Sequence, residues 1–192
     1  MLHEFISLMN LRDLVDSRLA DIRMSAHIAR QEHVSIKLLL GEIALAADLH
    51  SEFRELRFEI SDVNGELAVN TDPQLLTSAV MNLLNNAFTF TPPGGHVSLR
   101  AVSHGDRVHI EVEDECGGIA ANKADPFQPF GDRRKHDRSG LGLGLSIARQ
   151  AVRTYGGDIN FRNLPGVGCV FVIDLPMVTD IQAGLLPGRA TA

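Results

Sequence analysis

From Leu8 to about Ala29 the apolar residues Leu8, Leu11, Val15, Leu19, Ile22, Ala26 and Ala29 recur in steps of three and four, with Arg12, Asp16 and Arg23 between them. That spacing predicts one long amphipathic helix. Its stripe is narrow and close to a seven-residue repeat, so the helix is expected to pack against another helix rather than in a globular core. The polar patch Arg30-Gln31-Glu32-His33 separates it from a second helical run, Ser35 to about Arg54, with Ser35 at the N-cap position. The period then changes to two. Phe58 and Ile60 alternate as a strand, with Val63 a further candidate position before the turn Asn64-Gly65.

Asp72-Pro73 opens a third helix, aspartate at the N-cap and proline at the first helical position, running to about Phe90 and stopped by Thr91-Pro92-Pro93-Gly94-Gly95. Two strands follow, with Val97, Leu99 and Ala101 on one face of the first and Val108, Ile110 and Val112 on one face of the second. The turn His104-Gly105-Asp106 joins them as a hairpin. Between Asp114 and Gly144 lies a stretch rich in Gly, Pro and charge, too long for a mere connection and of the kind that is functional or mobile. A helix from Leu145 to Tyr155 ends at Gly156-Gly157. Strands from Asp158 to Asn163 and from Cys169 to Leu175 flank the turn Leu164-Pro165-Gly166, and the tail from Met177 has few features of a packed element. This order predicts an α+β fold with helices on one face of a mixed sheet.

Composition narrows the class. The 192 residues, 44% hydrophobic and 22% charged, suffice for one well-buried domain plus an appendage, which excludes a disordered or collagen-like chain. Eighteen Lys+Arg against 24 Asp+Glu leave a net charge of −6, so no basic stripe for a nucleic-acid backbone is expected. Cys116 and Cys169 are the two cysteines, too few for a disulfide framework and suited to a reducing compartment, so a cytoplasmic location is expected. The most apolar stretch, Leu38 to Leu49, is short and broken by Gly41, Glu42 and Asp48, and the N-terminus lacks the pattern of a signal peptide. No membrane segment is expected in this chain, although a longer parent protein could be membrane-anchored.

Candidate chemistry sits at three places. Asn82 and Asn86, four apart on the third helix, point the same way while Val80, Leu83, Leu84 and Ala87 face the sheet. Such a pair is either a plain polar edge or a source of neutral amide oxygens for a Mg²⁺ already held by phosphates and water. Asp114 ends a strand and leads into Glu115-Cys116-Gly117-Gly118-Ile119. A carboxylate there can form an Asx-type turn, or accept a hydrogen bond from an exocyclic amine while the glycines let a flat ring approach the backbone. In Ser139-Gly140-Leu141-Gly142-Leu143-Gly144-Leu145, three alternate glycines before a helix expose N–H groups at its positive end, where a polyphosphate can bind. It is neither a P-loop nor a Rossmann turn. Upstream lie Phe127-Gln128-Pro129-Phe130 and the basic run Arg133-Arg134-Lys135, which reads either as a solvated loop or as a partner for phosphates.

Taken in order, these segments resemble the ATP-binding catalytic domain of sensor histidine kinases, within the GHKL superfamily that includes gyrase, Hsp90 and MutL. Asn82 to Ala87 followed by Phe90-Thr91-Pro92 is similar to the N box, Asp114 with Gly117-Gly118-Ile119 to the first glycine box, Phe127 to Phe130 to the F box, and Gly140 to Ile147 to the second glycine box. Tyr155-Gly156-Gly157 and Gly166 to Phe171 resemble the family's usual ending, so the resemblance covers roughly residues 35–176. It implies a two-layer α/β sandwich, the Bergerat ATP-binding fold, here with an N-terminal amphipathic helix. The implied division is a helical dimerisation-type segment at 1–33, an ATP-binding domain at 34–177 and a flexible tail at 178–192.

The resemblance also implies roles: Asn86 binds Mg²⁺ with Asn82 beside it; Asp114 reads the adenine amino group and Gly118 admits the ring; Gly140, Gly142 and Gly144 supply lid hinges and phosphate-binding amides; Arg133, Arg134 and Lys135 lie on the lid near the nucleotide. The γ-phosphate of ATP would pass to a neutral histidine on a helical hairpin of the same or a partner chain, for relay to a response-regulator aspartate, with a homodimer implied. Three departures stand out. Thr89 replaces a common basic residue, Cys116 replaces the first glycine of Asp-x-Gly-x-Gly, and no His-Glu-x-x-x-Pro acceptor box is present, since His3-Glu4 runs on without a proline. The other seven histidines fit no acceptor motif and are expected at surface or polar positions, so the chain by itself is not expected to autophosphorylate. The competing expectation is a degenerate docking or phosphotransfer scaffold with weak or no ATP binding. An anti-sigma-type serine kinase fits the long N-terminal helix less well.

Overall fold

The computed structural model describes residues 31–61, 63, 65–119, 126–127 and 144–178. The helix expected at Leu8 to Ala29, the basic run Arg133-Arg134-Lys135, the glycines Gly140 and Gly142 expected to act as lid hinges and most of the tail lie outside them. In chain order the elements are β1 (Glu32–Ser35), α1 (Ile36–Phe53), β2 (Arg57–Ile60), β3 (Ala68–Thr71), α2 (Pro73–Phe90), β4 (His96–His104), β5 (Arg107–Asp114), α3 (Gly144–Arg153), β6 (Asp158–Leu164) and β7 (Gly168–Pro176). Five strands form one mixed sheet in the order β2-β4-β5-β7-β6, parallel only between β2 and β4, and β1 pairs antiparallel with β3 as a separate ribbon. The fold is α+β, as the alternation of periods predicts.

The strand periodicity becomes rows of side chains across the sheet. Leu99, Val112 and Phe171 share one row, and Ala101, Ile110, Ile173 and Ile159 the next, all buried. Leu75, Leu76, Ala79, Val80, Leu83, Leu84, Ala87 and Phe88 form the buried face of α2. The sheet rows and this helix face belong to one hydrophobic core, with Leu145, Ala148 and Val152 added by α3. A third row continues the pattern one step beyond the apolar ones: Val97, Asp114, Cys169 and Asn163. A carboxylate thus occupies a position that the sheet's geometry assigns to the core.

Helix starts and stops follow from local chemistry. The Asp72 carboxylate accepts from the N–H groups of Gln74 at 2.8 Å and Leu75 at 3.3 Å, with Pro73 at the first turn where its missing N–H is not needed. Ser35 is at the N-cap of α1 as expected, but its hydroxyl makes no capping bond; the Ile36 N–H donates instead to the Leu67 carbonyl. α3 ends two residues before Tyr155. Gly156, at φ +72°, and the bond from the Gly157 N–H to the Val152 carbonyl close its last turn. The patch around His33 is a strand rather than a connection, and β3 carries no sequence signal because four residues are too few for an alternation to stand out. Met177 and Val178, at the start of the expected tail, donate backbone bonds to Asp106 and Ala68.

His50, expected on a polar face, is half-buried edge-on to Phe88, with ring centroids 5.3 Å apart. Burial, helped by the nearby Arg54 charge and opposed by a hydrogen bond with Asn85, lowers its pKa from the ordinary 6.5. A histidine whose folded pKa is depressed binds its proton more readily unfolded, so stability is highest where His50 is neutral in both states. It should fall as pH drops through about 6.5 towards the folded value. Urea midpoints measured between about pH 5 and 7.5 should show a shallower decline in His50→Gln than in the parent chain. Identical slopes would place the His50 ring in water.

Candidate functional site

Two of the predicted segments meet at the start of α3. On α2, Asn82 and Asn86 are half-exposed, while Leu83, Leu84 and Ala87 are buried. Gly144, the first residue of α3, backs directly onto Asn82: a Cβ there would be 2.7 Å from the Asn82 Oδ1. The glycine therefore lets the positive end of α3 approach the amide edge of α2. Among the described residues, His, Cys, Asp and Glu side chains gather closely enough to hold a metal only at Asp114, Cys116 and Cys169, and none of these is on α2. Neutral amides alone do not hold bare Mg²⁺. They do fit a Mg²⁺ that brings phosphate oxygens and water as its other ligands, beside a helix N-terminus suited to those phosphates.

Asp114 is 3% exposed at the C-terminal end of β5. Its Oδ1 accepts from the Cys116 N–H at 3.0 Å and from the Cys169 N–H at 3.2 Å. The first of these is the Asx-type turn that the sequence allows. The second ties that turn to the adjacent strand. Gly117 and Gly118 follow at φ +78° and +83°, a region that L side chains rarely adopt. Gly118 has a second constraint, because a Cβ would lie 2.9 Å from the Leu164 carbonyl oxygen and 3.1 Å from the Pro165 Cα. The β6–β7 turn crowds it from one side.

The same turn holds the loop in place. Gly117 donates to the Val167 carbonyl and accepts from the Gly166 N–H, while the Asn163 amide both accepts from the Ile119 N–H and donates to the Ile119 carbonyl, each at 2.7 Å. The sequence assigns Asn163 no role, and Gly168 enters there only as part of the Gly166 to Phe171 ending. Asn163 is in the same sheet row as Asp114, so the pairing register is the signal that identifies it. Cys116 Sγ lies 3.4 Å from Cys169 Sγ, and both are thiols. The contact with Cys169, burial and the Asp114 carboxylate together raise the Cys116 pKa far above the ordinary thiol range.

Phe127, in the expected F box, is buried. Its ring meets Phe171 edge-on at 6.3 Å and Phe161 at 6.2 Å, and the Arg149 guanidinium lies 4.4 Å from its centroid. It pins that part of the long connection to β6, β7 and α3. The structure thus brings together Asn82 with Gly144, and Asp114 with Gly118. Arg133, Arg134, Lys135, Gly140 and Gly142 lie outside the described residues. None of the helices described is long and apolar enough to cross a membrane.

Residues 71–179 match the family model described as histidine kinase-, DNA gyrase B- and HSP90-like ATPase. Sensor protein KdpD of Rathayibacter rathayi is 38% identical over 115 residues, 58% of this chain and 13% of that protein. The circadian input-output histidine kinase CikA of Synechococcus elongatus is 36% identical over 152 residues, 76% of this chain and 18% of that protein. Among solved structures, the mycobacterial sensor histidine kinase MprB superposes with a TM-score of 0.64 at 26% identity, covering 77% of this chain and 97% of that one. The chain therefore spans less than a fifth of the length of these two curated relatives.

Proposed function

Because the chain belongs to the histidine kinase-, DNA gyrase B- and HSP90-like ATPase family, we propose that it is the ATP-binding catalytic domain of a sensor histidine kinase. In this reading it passes the γ-phosphate to a histidine on a helical hairpin, for relay to a response regulator. The observation that carries the proposal is the seat of Asp114: a carboxylate in a core row of the sheet, beside two glycines at positive φ, of which Gly117 has nothing within 4 Å of its Cβ position. Asp114 accepts from the adenine amino group. Asn86 offers its amide oxygen to Mg²⁺, with Asn82 beside it, and the N–H groups at the start of α3 face the phosphates. Bound Mg²⁺ offsets phosphate charge. The remaining task of the protein is to hold the phosphoryl group in line for an incoming imidazole, and orientation of this kind supplies much of the rate.

Calorimetry with Mg·ATP tests the reading, and silence there favours the scaffold alternative, in which the Cys116 side chain encumbers the base site. Asp114→Asn should weaken ATP binding by about 1.5–3 kcal/mol, roughly ten- to a hundredfold, through loss of a charge-assisted hydrogen bond. Tripolyphosphate affinity should change little. Equal losses for both ligands would mean that Asp114 holds the loop through Cys116 and Cys169 rather than reading the base.

A further inference from the structure

The register of β5 against β7 sets Asp114 opposite Cys169, and Cys116 follows Asp114 by two residues. Three side chains able to bind a metal therefore converge on one end of the central strands, their ligand atoms all within 4.8 Å of one another. We propose that Asp114, Cys116 and Cys169 form a site for a thiophilic divalent cation, with zinc its natural occupant. Two sulfurs and one carboxylate oxygen are the donor set that zinc takes, and three protein ligands leave a fourth tetrahedral position for water.

The spacing agrees with this better than with a disulfide. Sulfurs bound to one tetrahedral zinc at about 2.3 Å lie about 3.8 Å apart, whereas a disulfide draws them to about 2.05 Å. The observed 3.4 Å needs a few tenths of an ångström of opening for the metal. It would need well over an ångström of closing for the covalent bond. The two backbone N–H groups that donate to the Asp114 Oδ1 orient the carboxylate, as partners of a metal ligand do. Cys116 is half-buried and gives an approach from the loop, while Cys169 and Asp114 are buried behind it. On binding, two S–Zn bonds and one carboxylate O–Zn bond form, all but one of the ion's waters are released, both thiol protons pass to solvent and no electron changes hands.

The consequence rests on the proposed reading of Asp114: zinc would occupy the carboxylate that the adenine amino group needs, so the two ligands exclude one another. The test uses the reduced, metal-free 192-residue chain. Titration with Zn²⁺ against a chromophoric chelator should give one tight site, and Co²⁺ in its place should give a tetrahedral spectrum with a sulfur-to-cobalt charge-transfer band. Cys116→Ser, a change at a half-exposed loop position, should weaken Zn²⁺ at least about tenfold and reduce that band. Unchanged affinity in this variant, or a cobalt spectrum without the band, would overturn the site. In a second arm, Mg·ATP is titrated at buffered free zinc. Zinc should suppress nucleotide binding in the parent chain and a chelator should restore it, while Cys116→Gly should bind nucleotide with or without zinc. A chain that binds zinc as predicted but never binds ATP, even with chelator, sinks the nucleotide reading and leaves the metal site standing. Simultaneous binding of both ligands at full affinity sinks the exclusion.

Discussion

Gly168→Ala is expected to cost the chain more stability than any surface change, and to displace the Asp114 carboxylate that is proposed to read the base. Gly168 opens β7, paired with Leu164 of β6 and adjacent to Asp114 at the end of β5. A Cβ at this position would overlap the Asp114 carbonyl oxygen, lie 2.7 Å from the Asp114 carbonyl carbon and press on the Glu115 Cα at 3.1 Å. All three are backbone atoms of a central strand and its outgoing turn, so no rotamer change relieves the overlap. Relief requires β5 and β7 to separate where Asp114 accepts from the Cys169 N–H. The cost should reach or exceed the upper end of the ~1–3 kcal/mol usual for overpacking. For a chain of this length that is a fall of about 10 °C in the thermal midpoint. Gly166→Ala provides the control, since nothing lies within 4 Å of its Cβ position and only its φ of +78° is at stake. Its cost should stay near the ~1–2 kcal/mol of left-handed backbone strain. A Gly168→Ala protein that melts with its parent would show that the strands are further apart than described.

Much of the architecture could be read directly because the residues that set it act on near neighbours. Asp72-Pro73 caps α2 through bonds that reach only two and three residues ahead. The alternations in β4 and β5 reflect burial on one face, which depends on the pleat alone. β1 and β3 were not legible, since two four-residue strands are stabilised by pairing with each other across more than thirty positions, and pairing leaves no mark in either segment. The site divides in the same way. Asp114 and the positive-φ glycines announce themselves locally, and the Asx-type turn is where the spacing puts it. That Gly118 is also crowded by Leu164 and Pro165, that Asn163 clasps Ile119, and that Cys116 meets Cys169 depend on the register of β5, β6 and β7. A side chain's value for a site at a strand end is set by what the neighbouring strand brings opposite it.

Phe88→Ala should produce the second large effect, and it should do so without touching a candidate ligand-binding group. Phe88 is fully buried on the last turns of α2. Its ring is edge-on to Phe58 of β2, with centroids 5.4 Å apart at 87°, and edge-on to His50 of α1 at 5.3 Å and 64°. One side chain thus joins the helix that carries Asn82 and Asn86 to both the edge strand and the preceding helix. Truncation removes the apolar area, leaves a cavity among three elements and ends two aromatic contacts, for an expected loss of about 3–5 kcal/mol. Phe88→Leu keeps most of the volume and should cost less than about 1.5 kcal/mol. Urea unfolding separates the outcomes: the midpoint should fall sharply for alanine and slightly for leucine, with the slope unchanged if both variants remain two-state. At low denaturant, where most Phe88→Ala molecules are folded, nucleotide affinity should match the parent chain, because the lost contacts lie on the buried face of α2 and the asparagines on the other. A midpoint shift below about 1 kcal/mol for alanine would mean that water already reaches the seam between α2 and β2.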